Sequence, residues 1–374
     1  MNSDSANGCS RPSLLEEAAR FDFVSKLGFF PEKTAEVLRL DPVGALSVVY
    51  LDVNTNICNH SCMFCDGFYR PLQTRSIPTR RLFRLVDEMV EVGVLAVVLA
   101  GDRGEPLLHP GLTEVLSRIA EAGIFAGIYT NGTVVPEKLI QAHGLLAWIR
   151  ISVDAATADT HRIMHGYPKY RDDFSRLMRN LPLFAEMAPD LGVSFILDSE
   201  NVCEIEQAAD VLLGAGAHFI EYKPKYLPDY TPDAAWLAQN AREIKAAIDA
   251  SRRTWGDRVV VNNQVAALLD GSSPPTLVRD YRQCLTSLLR MVISTHGCYP
   301  CTPYRGDRAR RFGDILSQTL REVLNSPERL ALIDHSCNRI CAYDRQNDYL
   351  LDLRDGRADL TLATSVPRPQ DAFV

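Results

Sequence analysis

The sequence predicts an α/β fold: a partial (β/α)6 barrel of the TIM type, open on one side, followed by a small C-terminal segment organised around metal. Three observations predict it. From about residue 46 to 225, short apolar runs alternate with longer amphipathic stretches. A group of three cysteines stands directly behind the first of those runs. Residues 281–345 then hold half of the chain's ten cysteines and leave little room for long helices.

Six runs read as strands: SVVYLDV (47–53), VLAVVLA (94–100), IFAGIYT (124–130), WIRISVD (148–154), GVSFILD (192–198) and AHFIEYK (217–223). Between them RLFRLVDEMVEVG, GLTEVLSRIAEAG, PEKLIQAHG, DFSRLMRNLPLFAEM and CEIEQAADVLLGAG carry helical periodicity. Several of these stop on Gly, which tolerates the left-handed conformation at a helix end. Apolar runs alternating with helices give parallel strands joined by crossover helices. Six units are too few for an eight-stranded barrel, and periodicity by itself also permits an open doubly wound sheet. In either arrangement chemistry gathers beyond the C-terminal ends of the strands. The chain therefore divides into an N-terminal helical extension (1–45), the barrel (46–225), a linker with one helix and the strand DRVVVNN (226–280), the metal-centred segment (281–345) and a loose tail (346–374).

Composition excludes several classes. Hydrophobic residues make up 46% and charged ones 23%, ordinary for a globular chain with a full core. A net charge of -7 argues against a general nucleic-acid binder, which carries a basic surplus. No apolar run is long enough to cross a membrane. The opening MNSDSANGCSRPSLLEE lacks the apolar core of a secretory signal, so a cytoplasmic chain is expected. In such a chain clustered cysteines read as metal ligands or catalytic groups, not as a disulfide framework. Cys9 and Cys203 stand alone and read as inert thiols.

The first group is Cys58-Asn-His-Ser-Cys62-Met-Phe-Cys65, a C-x3-C-x2-C loop. Three thiolates are too few to close a structural zinc site or a fully ligated four-iron cluster. They suit a [4Fe–4S] cluster with one iron left open to chelate a small molecule; His60, inside the loop, is the extra ligand a rival zinc reading would use. With its position after the first strand, the loop resembles the signature of the radical S-adenosylmethionine (SAM) superfamily. That resemblance implies SAM as cofactor, reductive cleavage to a carbon radical, and a flavodoxin- or ferredoxin-type electron donor.

Further segments carry the same resemblance in the same order. Ala100-Gly101-Asp102-Arg103-Gly104-Glu105-Pro106 is similar to the family's Gly-Gly-Glu-Pro stretch, with Arg103 in place of its first glycine. Gly104 and Glu105 match it, and the resemblance implies that this backbone and the glutamate hold the SAM amino group. Thr130-Asn131-Gly132 and Ser152-Val153-Asp154 are similar to segments that line the SAM site, with Ser152 and Asp154 implied as ribose partners. Phe64 resembles the aromatic that packs near adenine.

The second group comprises Cys284, Cys298, Cys301, Cys337 and Cys341. Four thiolates can close a full [4Fe–4S] cluster, and spacing equally permits a four-cysteine zinc site. The arrangement resembles the shortened auxiliary-cluster ("twitch") domain, a truncated relative of the SPASM domain. By that resemblance Cys284, Cys301, Cys337 and Cys341 are the ligands and Cys298 is spare.

Substrate-facing residues are expected after the sixth strand, where Glu221, Tyr222, Lys223 and Lys225 lie; Lys223 or Tyr222 would take a proton from a substrate hydroxyl. His161, Arg162 and His165 read as SAM-site or helix-capping residues. The ending Phe373-Val374 departs from the Gly-Gly of the molybdopterin branch, and residues 1–45 are short for a peptide-recognition domain. These features favour oxidation of a small polar metabolite, such as a sugar, aminocyclitol or nucleoside-like compound, in antibiotic-type biosynthesis. A peptide- or protein-modifying enzyme is the alternative, a sugar epimerase or decarboxylase a minor one. A non-enzymatic iron–sulfur or zinc regulator would leave the SAM-like segments without purpose.

Overall fold

The computed structural model describes residues 22–65, 73–142, 144–228, 230–271, 282–334, 337 and 341–374. Its strands are β1 (Val48–Thr55), β2 (Arg75–Ser76), β3 (Ala96–Asp102), β4 (Phe125–Thr130), β5 (Trp148–Ser152), β6 (Leu191–Leu197), β7 (Phe219–Pro224), β8 (Val259–Val261), β9 (Arg290–Ser294) and β10 (Gly297–Tyr299). The principal helices are α1 (Pro31–Leu38), α2 (Thr79–Glu91), α3 (Leu112–Glu121), α4 (Glu137–Gln141), α5 (Ala158–His165), α6 (Asp173–Met187), α7 (Ile205–Gly214), α8 (Ala234–Trp255), α9 (Asn263–Leu269) and α10 (Asp344–Arg354). All ten strands form one sheet in the order β10-β9-β1-β3-β4-β5-β6-β7-β8, with β2 attached to β1. From β9 through β8 every neighbouring pair is parallel. The six predicted strands are thus β1 and β3–β7, paired in chain order.

Which face the helices cover decides between the two architectures that periodicity permits. One sheet face presents Val49, Leu51, Val53, Leu99, Ile128, Ile151 and Phe195, which join helix residues such as Leu82, Leu85, Leu177 and Leu212 in one buried core. The other face carries Val48, Val98 and Trp148, and these pack on Ala372 and Phe373 instead of a helix layer. A doubly wound sheet needs helices on both faces, whereas an open barrel turns one face inward. The inner face is strongly curved, since the Lys223 ammonium of β7 lies 6.0 Å from the Tyr129 ring of β4, three strands away. The fold is an open, partial barrel.

The barrel floor is filled by rings set over glycines. A Cβ on Gly127 would overlap the Trp148 indole, and one on Gly192 would overlap the Phe219 ring. The Arg150 guanidinium lies 5.2 Å from the Trp148 ring and 4.6 Å from Phe219, and pairs with Asp190 at 2.9 Å. Phe373 closes the floor from below, 5.3 Å from Trp148.

Two expectations are corrected here. The segment 281–345 is not a body apart from the barrel, because β9 extends the sheet beside β1 and β10 pairs with β9. The run RMVIS is too short for periodicity to identify it as a strand. The tail from 346 is not loose: α10 begins at Asp344, and Asp371, Ala372, Phe373 and Val374 are buried. Lys26 Nζ donates to the carbonyls of Gln370 (2.9 Å) and Phe373 (3.3 Å), and Arg290 donates to Val374 O at 2.6 Å. A polar, proline-containing run disguised a short apolar plug. Residues 1–21 of the N-terminal extension and Cys9 lie outside the described residues. Among the described residues no helix is long and apolar enough to cross a membrane.

Phe373→Ala is therefore expected to lower the unfolding free energy by about 3 kcal/mol, the scale for deleting a buried ring. Val366→Ala, at a residue 86% exposed, should change it by less than about 0.5 kcal/mol. Denaturant unfolding of both variants checks the contrast.

Candidate metal and cofactor site

The first cysteine loop leaves β1 at the C-terminal rim of the sheet. The β1–β3 register shifts between Asp52 and Asn54, a bulge that turns the strand end towards the loop. The rim is tied together by backbone bonds: Asn56 N to Asp102 O (3.1 Å), Glu105 N to Ile57 O (2.8 Å) and Ser61 N to His165 O (3.0 Å). Side chains complete it. Asn131 Nδ2 donates to Asn59 Oδ1 at 2.8 Å, Asn59 Nδ2 to Thr133 Oγ1 at 2.7 Å, and Arg171 Nη1 to Asn59 O at 2.7 Å.

Donors already face the Cys58 and Cys62 thiols, as thiolate ligands of an iron–sulfur cluster require. His60 N lies 3.4 Å and Asn131 Nδ2 3.9 Å from Cys58 Sγ, and His165 Nδ1 lies 3.2 Å from Cys62 Sγ. His165 Nε2 is anchored by Val153 O at 3.0 Å and Asp154 Oδ2 at 3.3 Å. Burial opposes charge on His165, but Cys62 and Asp154 outweigh it and push its pKa up to about 10. His60 Nε2 is held 2.9 Å from Asp173, and burial pulls its pKa down to about 4. His60, Cys62 and His165 do bring three potential ligand atoms within 4.8 Å of one another. Their sulfur is a member of the three-cysteine set, so the two rings are read as supports that fix Cys62. His161 joins them, its ring 4.4 Å from that of His165, behind the loop.

The SAM-like segments converge on the same rim. Arg103, standing where the family has glycine, adopts φ +53, so the backbone keeps a glycine-like turn despite the side chain. Gly104 has no such latitude, because a Cβ there would overlap Asn54 O. Glu105 is 2% exposed and accepts from Leu107 N (3.0 Å), Thr130 Oγ1 (2.7 Å) and Asn131 N (2.7 Å), binding the β3 and β4 ends together. Burial pushes its carboxyl up to about 6 against those three donors. Ser152, at the end of β5, is partly exposed. The Phe64 ring centre lies 5.6 Å from that of His165, the two rings close to perpendicular. Asp154 corrects one expectation: it is fully buried at φ +57, accepts from Ile196 N at 2.6 Å and faces His165, so it supports the cysteine loop and presents no face to a ribose.

Inside the barrel, below this rim, the lining is polar and aromatic. Lys223 Nζ stands 3.0 Å from Glu221 Oε2, and Tyr129 is 40% exposed although it faces inward. The Tyr50 and Tyr343 hydroxyls meet at 2.5 Å. Lys225 pairs with Asp198 at 2.5 Å. Two further expectations fail. Tyr222 is fully buried on the helix side, its hydroxyl donating to Ile205 O at 2.7 Å, because successive strand residues point to opposite faces. Burial lowers the Lys223 pKa, but Glu221 and Tyr129 outweigh it and the net shift is upward, so at neutral pH Lys223 is a cation and cannot take a proton. The inward carboxylate beside it is Glu221, to which residue type alone assigns no role.

In the second cysteine group, Cys284, Cys301, Cys337 and Cys341 influence one another. Burial raises the Cys301 thiol well above its ordinary value, with Cys341, Cys284 and Cys337 adding to the shift, and burial pushes Cys341 up to about 12 with Cys284 adding. Cys298 stands elsewhere, on β10, fully buried in the main core. Four thiols that influence one another are the number a closed four-iron cluster takes. Arg305, four residues after Cys301, forms a buried 2.8 Å ion pair with Asp52 of β1 that fastens this segment to the barrel.

Arg103→Gly should retain the fold and raise stability by up to about 1 kcal/mol by relieving the left-handed strain. Gly104→Ala should cost about 1–3 kcal/mol by overpacking and displace the rim. Thermal unfolding and isothermal titration with SAM distinguish them: the first variant keeps SAM binding and the second loses it.

Comparison with known proteins agrees with this geometry. Residues 54–212 match the sequence profile of the Radical SAM superfamily. An AdoMet-dependent heme synthase of Methanosarcina barkeri is 26% identical over 44% of this chain and 47% of its own length. A PqqA peptide cyclase of Ruegeria pomeroyi is 27% identical over 45% of this chain and 44% of its own. The chain thus spans about half the length of these curated relatives. Among solved structures, Streptococcus suis SuiB bound to precursor peptide SuiA superposes with a TM-score of 0.60 over 90% of this chain and 77% of that one, at 14% identity. Histidine-tagged anSMEcpe with bound AdoMet gives 0.59 over 88% of this chain and 99% of that one, also at 14% identity. At that identity the likeness concerns the fold. The cysteine loop, the strand-end segments and the matched profile together mark residues 54–212 as a radical SAM domain.

Proposed function

We propose that the chain oxidises a small polar metabolite within the barrel, using SAM at the Cys58–Cys62–Cys65 cluster and a second cluster held by Cys284, Cys301, Cys337 and Cys341. Cys58, Cys62 and Cys65 would hold the cluster, and SAM bound beside it would supply the carbon radical that takes hydrogen from substrate carbon. A flavodoxin- or ferredoxin-type carrier is the proposed electron source. Gly104, Thr130, Asn131 and Ser152 frame the SAM site, and Phe64 borders its adenine end. Glu105 holds the Thr130 hydroxyl and the Asn131 backbone amide, with acceptor capacity left on Oε2 for the SAM amine.

The observation that carries the metabolite reading is the Lys223–Glu221 pair beside the half-open Tyr129 ring, inside the barrel rather than on its outer surface. Lys223, held charged, donates to a substrate oxygen and orients it. Glu221 is the group placed to accept the proton of a substrate hydroxyl as its carbon is oxidised. An aromatic wall with one fixed ion pair suits a hydroxylated ring or nucleoside-like compound, with the second cluster as one-electron acceptor. The peptide-modifying reading is favoured by the matches of this barrel to two proteins named PqqA peptide cyclase and by its fold likeness to SuiB bound to precursor peptide SuiA.

Anaerobic incubation with SAM, reductant and libraries of carbon-deuterated metabolites and of peptides separates the two. Deuterium entering 5′-deoxyadenosine with a metabolite, and not with peptides, supports the proposal; the converse replaces it. A Cys337→Ala/Cys341→Ala variant should still cleave SAM but make at least about tenfold less oxidised product. Wild-type oxidation by that variant would make the second site structural. Deuterium recycled into product without net SAM loss would make the reaction an isomerisation.

A further inference from the structure

We infer that Tyr304 sets the reduction potential of the second cluster by donating its phenolic hydrogen to the Cys337 thiolate; this rests on reading that cysteine set as a cluster site. Tyr304 is 4% exposed, and its hydroxyl lies 3.5 Å from Cys337 Sγ. The tight turn after Cys301 fixes the ring, with Tyr304 N donating to Cys301 O at 3.1 Å, and the Arg310 guanidinium covers it at 5.2 Å. Hydroxyl and amide groups face two other sulfurs: Thr286 Oγ1 is 3.3 Å from Cys284 Sγ, and Tyr343 N is 3.3 Å from Cys341 Sγ.

A cluster-bound thiolate has no proton, so a hydroxyl beside it can only donate. Reduction adds negative charge that spreads onto the sulfurs, and a donor strengthens with that charge. Each such bond stabilises the reduced form and raises the potential, as hydrogen bonds to cluster sulfurs do generally. Of these three donors the phenol is the most acidic, and it sits in a site from which water is largely excluded. Tyr304 therefore adjusts how readily the second cluster takes an electron, without touching substrate. It is a positioning residue for the sulfur.

The test is an EPR-monitored redox titration of the full chain carrying both clusters, comparing wild type with Tyr304→Phe. The midpoint of the second cluster should move to a more negative potential, while that of the SAM-binding cluster stays in place. An unchanged second midpoint with full iron content would overturn the inference. If Tyr304→Phe loses the second cluster's iron, 3-fluorotyrosine at position 304 replaces it as probe: a stronger donor should move the midpoint positive, and no shift would count against the idea. Metal analysis of the wild type separates the underlying reading, since zinc bound at these four cysteines would end the cluster assignment itself and with it the role of Tyr304.

Discussion

A parallel sheet that curls into an open barrel has to fill its floor while leaving its mouth empty, and the rest of this structure depends on how that is done. The floor consists of Trp148, Phe219 and Phe373, admitted by glycines at 127 and 192 that leave room for the rings. Arg150 lies between two of these rings with Asp190 as partner, so the floor holds a charge without leaving it unpaired. Breaking such a buried pair by removing one partner costs about 3–5 kcal/mol. The polar residues above the floor, Tyr129, Lys223 and Glu221, stand on strands rather than on loops.

The mouth is organised by the opposite means, through backbone forced into uncommon conformations and held by hydrogen bonds. Arg103 and Asp154 both take left-handed φ values at strand ends, at a cost of roughly 1–2 kcal/mol each. Glu105 offsets part of this by collecting three donors from two strand ends. Asp154, His165 and Cys62 form a second chain of contacts that reaches from β5 to the cysteine loop. The mouth is thus shaped by the protein's own bonds, and the thiols are presented by a frame that is already tied.

Much of this is legible in the sequence, for identifiable reasons. The six strands emerge within a few residues of their positions because long apolar runs alternate with strong helical periodicity. Cys298 lies buried in the core, and Cys284, Cys301, Cys337 and Cys341 remain the ligand set proposed from the resemblance. Other features carry no local signal. RMVIS is too brief to announce β9, and the plug at Ala372–Val374 follows a polar stretch that reads as loose. The direction of Tyr222 is within reach of the sequence: with period two, a strand that turns Lys223 inward turns Tyr222 outward. For Asp154 and Lys223, residue type suggests one chemical role, and burial with specific neighbours assigns another.

The central claim is that one chain carries two iron–sulfur clusters of different kinds, one open to SAM and one closed. Mössbauer spectroscopy of anaerobically reconstituted, iron-57-labelled protein tests it most directly. Two four-iron clusters should appear, about eight irons in all, and adding SAM should change the spectrum of one iron in one cluster while the other cluster stays as it was. A single four-iron cluster, or two clusters neither of which responds to SAM, would contradict the account.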